Sequence, residues 1–282
     1  MFRKIAQNSF DSPKRSGKIG GIVSNPYVLI TGASSGIGAG FARALAQRGV
    51  SLILVSRREE RLNALRNEFK DVDIVPMPFD LYQIGAAELL FAKCREKGLE
   101  VKGLINNAGL GWQAALHELS QEQVDRMLTV NLIVLTHLCR LFLPPMIERR
   151  SGFILNIAST AGFQPVPYFS VYAATKSYVI NLSEALYDEV KDRGVLVSCL
   201  CPGPVDTEFQ EKANLDPRFF AHAQSVEEVV KAGLKALEKE RPLAWTSTFQ
   251  RMFCLGSELF PRVARRGITS WLMKSAGIKS GA

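Results

Sequence analysis

Histidine is scarce in this sequence and cysteine is unpatterned, and the two shortages argue against a metal centre or a disulfide framework. The three histidines, His117, His137 and His222, lie far apart and in no ligand motif. The five cysteines, Cys94, Cys139, Cys199, Cys201 and Cys254, have no framework spacing, and Cys199-Leu200-Cys201 lacks the two-residue gap of zinc or redox pairs. No metal is expected, and the thiols read as reduced in a cytoplasmic protein. Internal repeats and low-complexity tracts are absent as well, which excludes solenoid and disordered classes. The first 25 residues lack the apolar run of a secretory signal, so export is not expected. The most apolar long stretch, 128–143, contains Asn131, His137 and Arg140 and stops at Pro144-Pro145, so it reads as a buried helix rather than a membrane span.

What is present fits one sizeable core: 282 residues, 47% hydrophobic and 22% charged. The net charge of +8 is concentrated at the ends. Residues 1–26 carry five Lys/Arg against one Asp, and residues 241–282 carry seven against one Glu. Between them, 27–240 is near neutral, with 23 basic and 25 acidic residues. That distribution predicts a basic N-terminal extension (1–26), a near-neutral globular body (27–246) and a basic amphipathic helical tail (247–282). No nucleic-acid module accompanies the basic ends, so nucleic acid is not an expected partner. Three roles fit the tail: docking on the chain's own body, pairing with a second subunit, or peripheral contact with a membrane, which would make the cytoplasmic protein membrane-associated.

Short apolar β-branched runs at 27–31, 51–56, 73–77, 103–106, 152–158, 195–200 and 243–245 alternate with helical patterns. The helices are predicted at 36–48, 60–69, 84–97, 121–142, 170–193 and 226–239, two of them opened by the capping boxes Ser120/Gln123 and Ser225/Glu228. Continuous apolar strands are those covered on both faces, so the alternation predicts an α/β, doubly wound, mostly parallel seven-stranded sheet in a single domain, with ligands at the carboxyl ends of its strands.

The first strand runs into Thr31-Gly32-Ala33-Ser34-Ser35-Gly36-Ile37-Gly38 and then a helix. Such a turn aims backbone N–H groups and the positive helix end at an anion, and glycine lets a pyrophosphate approach the bare backbone. The second strand ends Ser56-Arg57-Arg58, with no carboxylate to accept from a ribose 2′-hydroxyl; arginines there suit a 2′-phosphate or simply start an exposed helix. Tyr172 and Lys176 stand four apart on one helix face, where an ammonium is expected to draw a tyrosine pKa downward. Ser159 follows the fifth long strand, and Asn131 interrupts an apolar helix, where a buried amide needs partners.

The order of Gly32-x-x-x-Gly36-x-Gly38, Asn106-Asn107-Ala108-Gly109, Asn131, Ser159, Tyr172-x-x-x-Lys176 and Pro202-Gly203-x-Val205-x-Thr207 resembles the short-chain dehydrogenase/reductase family, in its non-extended, NADP(H)-preferring form. The resemblance covers roughly 27–207 and implies a Rossmann-type fold, an NADP(H) cofactor, and hydride transfer between nicotinamide and a carbonyl or secondary alcohol. It implies Tyr172 as proton donor or acceptor and Ser159 as the group orienting the substrate oxygen. Lys176 would lower the tyrosine pKa and hold the nicotinamide ribose, with Asn131 supporting a proton-relay water. It further implies cofactor contacts from Gly32, Ser34, Ser35, Gly36, Ile37 and Gly38, and phosphate contacts from Arg57 with Ser56 and Arg58. Asp80 and Leu81 would hold the adenine, although Asp80 equally suits a cap, and Asn107, Ala108, Gly109, Pro202, Gly203, Val205 and Thr207 complete the lining. A homodimer or homotetramer is the family's usual assembly.

The substrate is expected between Trp112, Phe163, Tyr168, Phe209 and the segment 208–222, whose Phe219 and Phe220 add to an aromatic, apolar character. That points to a hydrophobic or acyl-chain carbonyl. The competing class is a non-catalytic NADP-binding sensor or scaffold, which needs the glycine turn and Arg57 but not the set Asn131, Ser159, Tyr172 and Lys176.

Overall fold

In the computed structural model, which describes residues 26–216 and 223–259 together with positions 261, 263, 266, 267 and 270, the seven apolar runs pair as one sheet. The strands are β1 (Tyr27–Thr31), β2 (Leu52–Ser56), β3 (Ile74–Pro78), β4 (Val101–Asn106), β5 (Gly152–Ile157), β6 (Val195–Cys201) and β7 (Leu243–Trp245). Their order is β3-β2-β1-β4-β5-β6-β7, and every neighbouring pair is parallel. Parallel pairing needs crossovers, and the helices α1 (Gly36–Ala46), α2 (Glu59–Glu68), α3 (Ala86–Glu96), α4 (Gln121–Leu128), α5 (Leu135–Glu148), α6 (Ser170–Val190) and α8 (Val226–Glu238) supply them. A short helix α7 (Phe209–Lys212) follows β6, and α9 (Thr248–Leu259) follows β7.

Alternation along each strand feeds two hydrophobic clusters, one on each face. Leu29, Ile53, Leu104 and Ile154 pack toward α3, α5 and α6, whereas Val28, Ile30, Leu54 and Ile105 pack toward α1 and α8 around Phe41 and Leu234. Because strand order reverses between β1 and β4, the chain leaves these neighbours in opposite directions, and a crevice opens above their carboxyl ends. A buried polar ladder fixes the far wall: Asn106 donates to Asn156 Oδ1 at 2.9 Å, and Asn156 donates to Ser183 Oγ on α6 at 2.9 Å. These bonds use both ends of the Asn156 amide and pin α6, which carries Tyr172 and Lys176, against β5, while Asn106 Oδ1 stays buried without a partner.

Both capping boxes form, at Ser120/Gln123 and at Ser225/Glu228. One expectation fails. The helix predicted to stop at 142 continues through Pro144 and Pro145 to Glu148, because Leu143 and Met146 remain buried on the sheet side and their packing outweighs the lost backbone bonds. Between α4 and α5, Thr129–Val134 winds as a wider π-type turn centred near the buried Asn131. The whole stretch Gln121–Glu148 is long and apolar enough to cross a membrane, but half of its most apolar window is buried inside the protein, as suits a core helix.

The expected N-terminal extension, 1–26, lies outside the described residues apart from its last position, as do Phe219, Phe220, His222 and most of the tail beyond 259. The described part of the tail, α9, lies on the body: Cys254 is buried, and Gln250 donates to Gln224 Oε1 at 3.1 Å beside Gly203.

Candidate active site

The crevice above β1, β4 and β5 holds a cavity of about 630 Å³. Its floor is the turn after β1. Gly36 has φ +52°, a left-handed conformation that L side chains rarely adopt, and a Cβ at Gly38 would stand 2.4 Å from the Gly32 carbonyl and 2.5 Å from Asn107 Nδ2. The turn is tied to β4 through Thr31, whose Oγ accepts the N–H groups of Asn107 and Ala108, each at 3.0 Å. Asn107 returns the contact by donating Nδ2 to the Thr31 carbonyl at 2.9 Å. Gly32, Ser34, Ser35, Gly36 and Ile37 line the cavity; Gly38 lies just beneath it, as the close-approach position.

One end of the cavity is cationic. Ser56, Arg57 and Arg58 all border it, and Arg58 reaches across the mouth to donate to Ser34 Oγ at 2.9 Å and Ser35 Oγ at 2.7 Å. Arg57 is exposed and has no side-chain partner among the described residues. Asp80 and Leu81 line the adjoining wall. Asp80 Oδ1 accepts from the Tyr82 N–H at 3.0 Å, so it closes a turn rather than capping the next helix, α3, whose N-cap is Gly85. The glycine cradle and the helix end suit the pyrophosphate of a dinucleotide.

At the other end, α6 delivers Tyr172 and Lys176 from one face, and the end of β5 delivers Ser159. Burial pushes the Tyr172 hydroxyl up to about 12, with the Ser159 hydroxyl pulling it back down. This corrects the expected direction. Lys176 turns its ammonium away, donating Nζ to the Ile157 carbonyl at 2.8 Å while sitting 5.5 Å from the Tyr172 ring centre, and burial sets the direction for the phenol. Burial also lowers Lys176 itself to about 8, against an opposing pull from the Cys199 and Cys201 thiols.

Asn131 does not reach the cavity. Its Oδ1 accepts from Leu110 N–H at 2.9 Å, while Nδ2 donates to Leu110 O at 2.9 Å and Thr175 Oγ at 3.0 Å, so every bond of the amide fixes the loop after β4 against α6. In that loop Gly109 faces the lysine, where a Cβ would stand in ordinary contact with Lys176 Nζ at 3.4 Å. Asn107, Ala108, Gly109, Pro202, Gly203, Val205 and Thr207 line the cavity as expected.

Of the four expected aromatic substrate residues, only Phe209 borders the cavity; its ring centre is 5.5 Å from that of Tyr172. Phe163 is buried against Trp245, with ring centres 5.9 Å apart, because the turn after Ser159 points it behind the sheet edge. Tyr168 has φ +62° and serves through its carbonyl, which accepts from Ala114 N–H at 2.8 Å. Trp112 is half-buried outside the lining. Their place is taken by Phe169, stacked on Tyr172 at 4.3 Å, with Leu110 and Gln113, which sequence reasoning missed, and by Val166 and Leu215, which lie in the stretches 163–168 and 208–222 expected to border the substrate. The near-invisible clue was Gly111, whose missing side chain lets Phe209, Phe169 and Tyr172 close within 3.0 Å of where a Cβ would be.

Comparison with known proteins agrees with this arrangement. The family model described as short chain dehydrogenase matches residues 26–218. A very-long-chain 3-oxoacyl-CoA reductase from Anas platyrhynchos is 32% identical over 191 residues, 66% of this chain and 61% of that protein, so the chain covers less than two thirds of that relative's length. A short-chain dehydrogenase from Sphingobium yanoikuyae, solved in complex with NADPH, superposes with a TM-score of 0.76 at 32% identity, covering 87% of this chain and 95% of its own. A short-chain dehydrogenase/reductase from Burkholderia phymatum, solved with NAD, gives a TM-score of 0.71 at 25% identity over 81% and 91% of the two chains. With a parallel sheet, a glycine cradle and a serine, tyrosine and lysine at one cavity, this chain belongs to the short-chain dehydrogenase/reductase family and is an oxidoreductase that uses a nicotinamide cofactor.

Proposed function

We propose that the chain is an NADP(H)-dependent carbonyl reductase or alcohol dehydrogenase acting on an apolar, acyl-chain substrate. The observation that carries this reading is a single cavity with arginines at one end and Ser159, Tyr172 and Lys176 at the other. A nicotinamide bound between these ends supplies or accepts the hydride.

The chain's own residues do the rest. A Tyr172 hydroxyl raised to about 12 is protonated at neutral pH, which suits donation to a developing alkoxide in the reducing direction. Ser159 stands at the same spot and orients the substrate oxygen, stabilising its charge as it forms. Lys176 holds a positive charge behind the tyrosine, and Asn131 acts at one remove, by fixing the loop of Leu110 and the position of Thr175 beside Tyr172. Arg57 and Arg58, with Ser34 and Ser56, form the 2′-phosphate pocket in this reading, and the NADPH-bound relative supports it. The apolar wall of Leu110, Val166, Phe169, Phe209 and Leu215 supports a long hydrophobic substrate, as does the name of the Anas relative.

The test is a titration with NADPH and NADH by nucleotide fluorescence, followed by turnover of 3-oxoacyl thioesters and bulky ketones at 340 nm. Wild type is expected to prefer NADPH and to reduce the longer-chain substrates faster. Tyr172→Phe is expected to keep NADPH affinity and lose at least about a hundredfold in turnover; near-normal turnover in that variant refutes the mechanism, and a preference for NADH refutes the arginine assignment.

A further inference from the structure

The segment that covers the cavity after β6 carries one acidic residue into the cationic end. Glu208 Oε2 accepts from Arg58 Nη1 at 2.7 Å and from Lys212 Nζ at 2.6 Å, and its Oε1 accepts from Arg61. Three cations on one carboxylate hold Glu208 well below the usual carboxylate range, so it stays charged across any assay pH. Arg58 meanwhile has its other donors on Ser34 and Ser35: Nε and Nη2 reach Ser34 Oγ at 3.1 and 2.9 Å, and Nη2 reaches Ser35 Oγ at 2.7 Å. Its fork is thus shared between two cavity-lining serines and Glu208. The neighbours of Glu208 in sequence, Thr207 and Phe209, both line the cavity, which places the carboxylate at the cavity's rim.

An anion that docks on Arg57 and Arg58 therefore meets a negative charge already seated on one of them. Guanidinium bonds carboxylate and phosphate with the same planar geometry, so the two are direct rivals. A ribose 2′-hydroxyl carries no charge and feels no such rivalry. We propose that Glu208 competes with the cofactor's 2′-phosphate for Arg58 and thereby sets how strongly this chain selects NADP(H) over NAD(H), an inference that rests on the NADP(H) reading above.

The experiment uses the full chain. Binding of NADPH, NADH and adenosine 2′,5′-bisphosphate is measured for wild type, Glu208→Gln and Glu208→Asp, at low and moderate salt. In Glu208→Gln the NADPH Kd is expected to fall about tenfold and the bisphosphate Kd with it, while the NADH Kd moves by less than about twofold. Glu208→Asp, which keeps the charge, is expected to keep the wild-type ratio. An unchanged or weaker NADPH Kd in Glu208→Gln, or an equal shift for both cofactors, overturns the proposal. Circular dichroism checks the fold, and Glu208→Ala carries the same expectation should the glutamine perturb it. If wild type does not prefer NADPH, the NADP(H) reading fails by itself. A tenfold gain in bisphosphate affinity on Glu208→Gln still supports the rivalry in that case, and no gain overturns both.

Discussion

Replacing Lys176 with methionine tests the electrostatics of the site without any substrate. Lys176 is 5% exposed, and its ammonium has one hydrogen bond, to the Ile157 carbonyl. Burial lowers its pKa from 10.5 to about 8, a difference worth about 3 kcal/mol at roughly 1.4 kcal/mol per pKa unit. The sign follows from which state holds the proton. Below about pH 8 both folded and unfolded chains carry the charge, and the fold bears the whole burial penalty. Between about 8 and 10.5 the unfolded chain still binds the proton and the folded chain has lost it, so stability rises with pH; above 10.5 the penalty is gone. Lys176→Met removes the penalty at every pH and sacrifices one hydrogen bond, worth about 1 kcal/mol. The variant is therefore expected to be more stable than wild type by about 2 kcal/mol at pH 7, and that gap is expected to shrink and reverse as pH approaches 10.5. Buried thiols such as Cys94 and Cys139 are raised to about 12 and pull stability the other way in alkali, but both proteins contain them, so the difference cancels their effect. Urea unfolding followed by circular dichroism at pH 7, 8, 9 and 10 measures the gap. A gap that does not change with pH refutes the assignment of a strained, buried charge to Lys176.

Gly38→Ala drives a Cβ into the Gly32 carbonyl, so it is expected to abolish cofactor binding and to lower stability by about 1–3 kcal/mol, read by nucleotide titration and thermal unfolding. Thr31→Val removes the acceptor of two backbone N–H groups at nearly constant volume; a stability loss of about 2 kcal/mol and weaker cofactor binding are expected in the same assays. Phe209→Ala is expected to raise the KM of a long-chain ketone by about tenfold with little change in NADPH affinity, and an unchanged KM would remove Phe209 from the substrate wall. The outer face of α9 exposes Phe249, Met252, Phe253 and Leu259, next to the basic end of the chain, so flotation with anionic vesicles is expected, and Phe249→Asp with Leu259→Asp is expected to abolish it.

Much of this protein could be read directly from the order of its residues. Seven apolar runs became seven strands within about two residues at each end, because a strand buried on both faces must be apolar throughout and the pattern is local. The turn Thr31 to Gly38 was equally legible, since close backbone approach admits only glycine at Gly38. Capping boxes at Ser120 and Ser225 formed because they are contacts within four residues. Where reading failed, the deciding contact was distant in sequence. Pro144-Pro145 did not end its helix, because packing of Leu143 and Met146 on the sheet outweighed local propensity.

The aromatic wall failed for the same reason. Phe163 and Phe169 look alike in sequence, yet the turn after Ser159 sends one behind the sheet against Trp245 and stacks the other on Tyr172. The pKa of Tyr172 could not be read from a lysine four residues away, because desolvation depends on everything packed around the ring. Sequence alone thus determined the strands and the glycine turn, which rest on local pattern, and it singled out Ser159, Tyr172 and Lys176 through the resemblance to a family; the structure brings those three to one cavity. Only the tertiary structure decided which aromatics meet the substrate, how Asn131 braces Leu110 and Thr175, and that Glu208 closes on Arg58 from 150 residues away, since those depend on which distant segments the sheet brings to a common end.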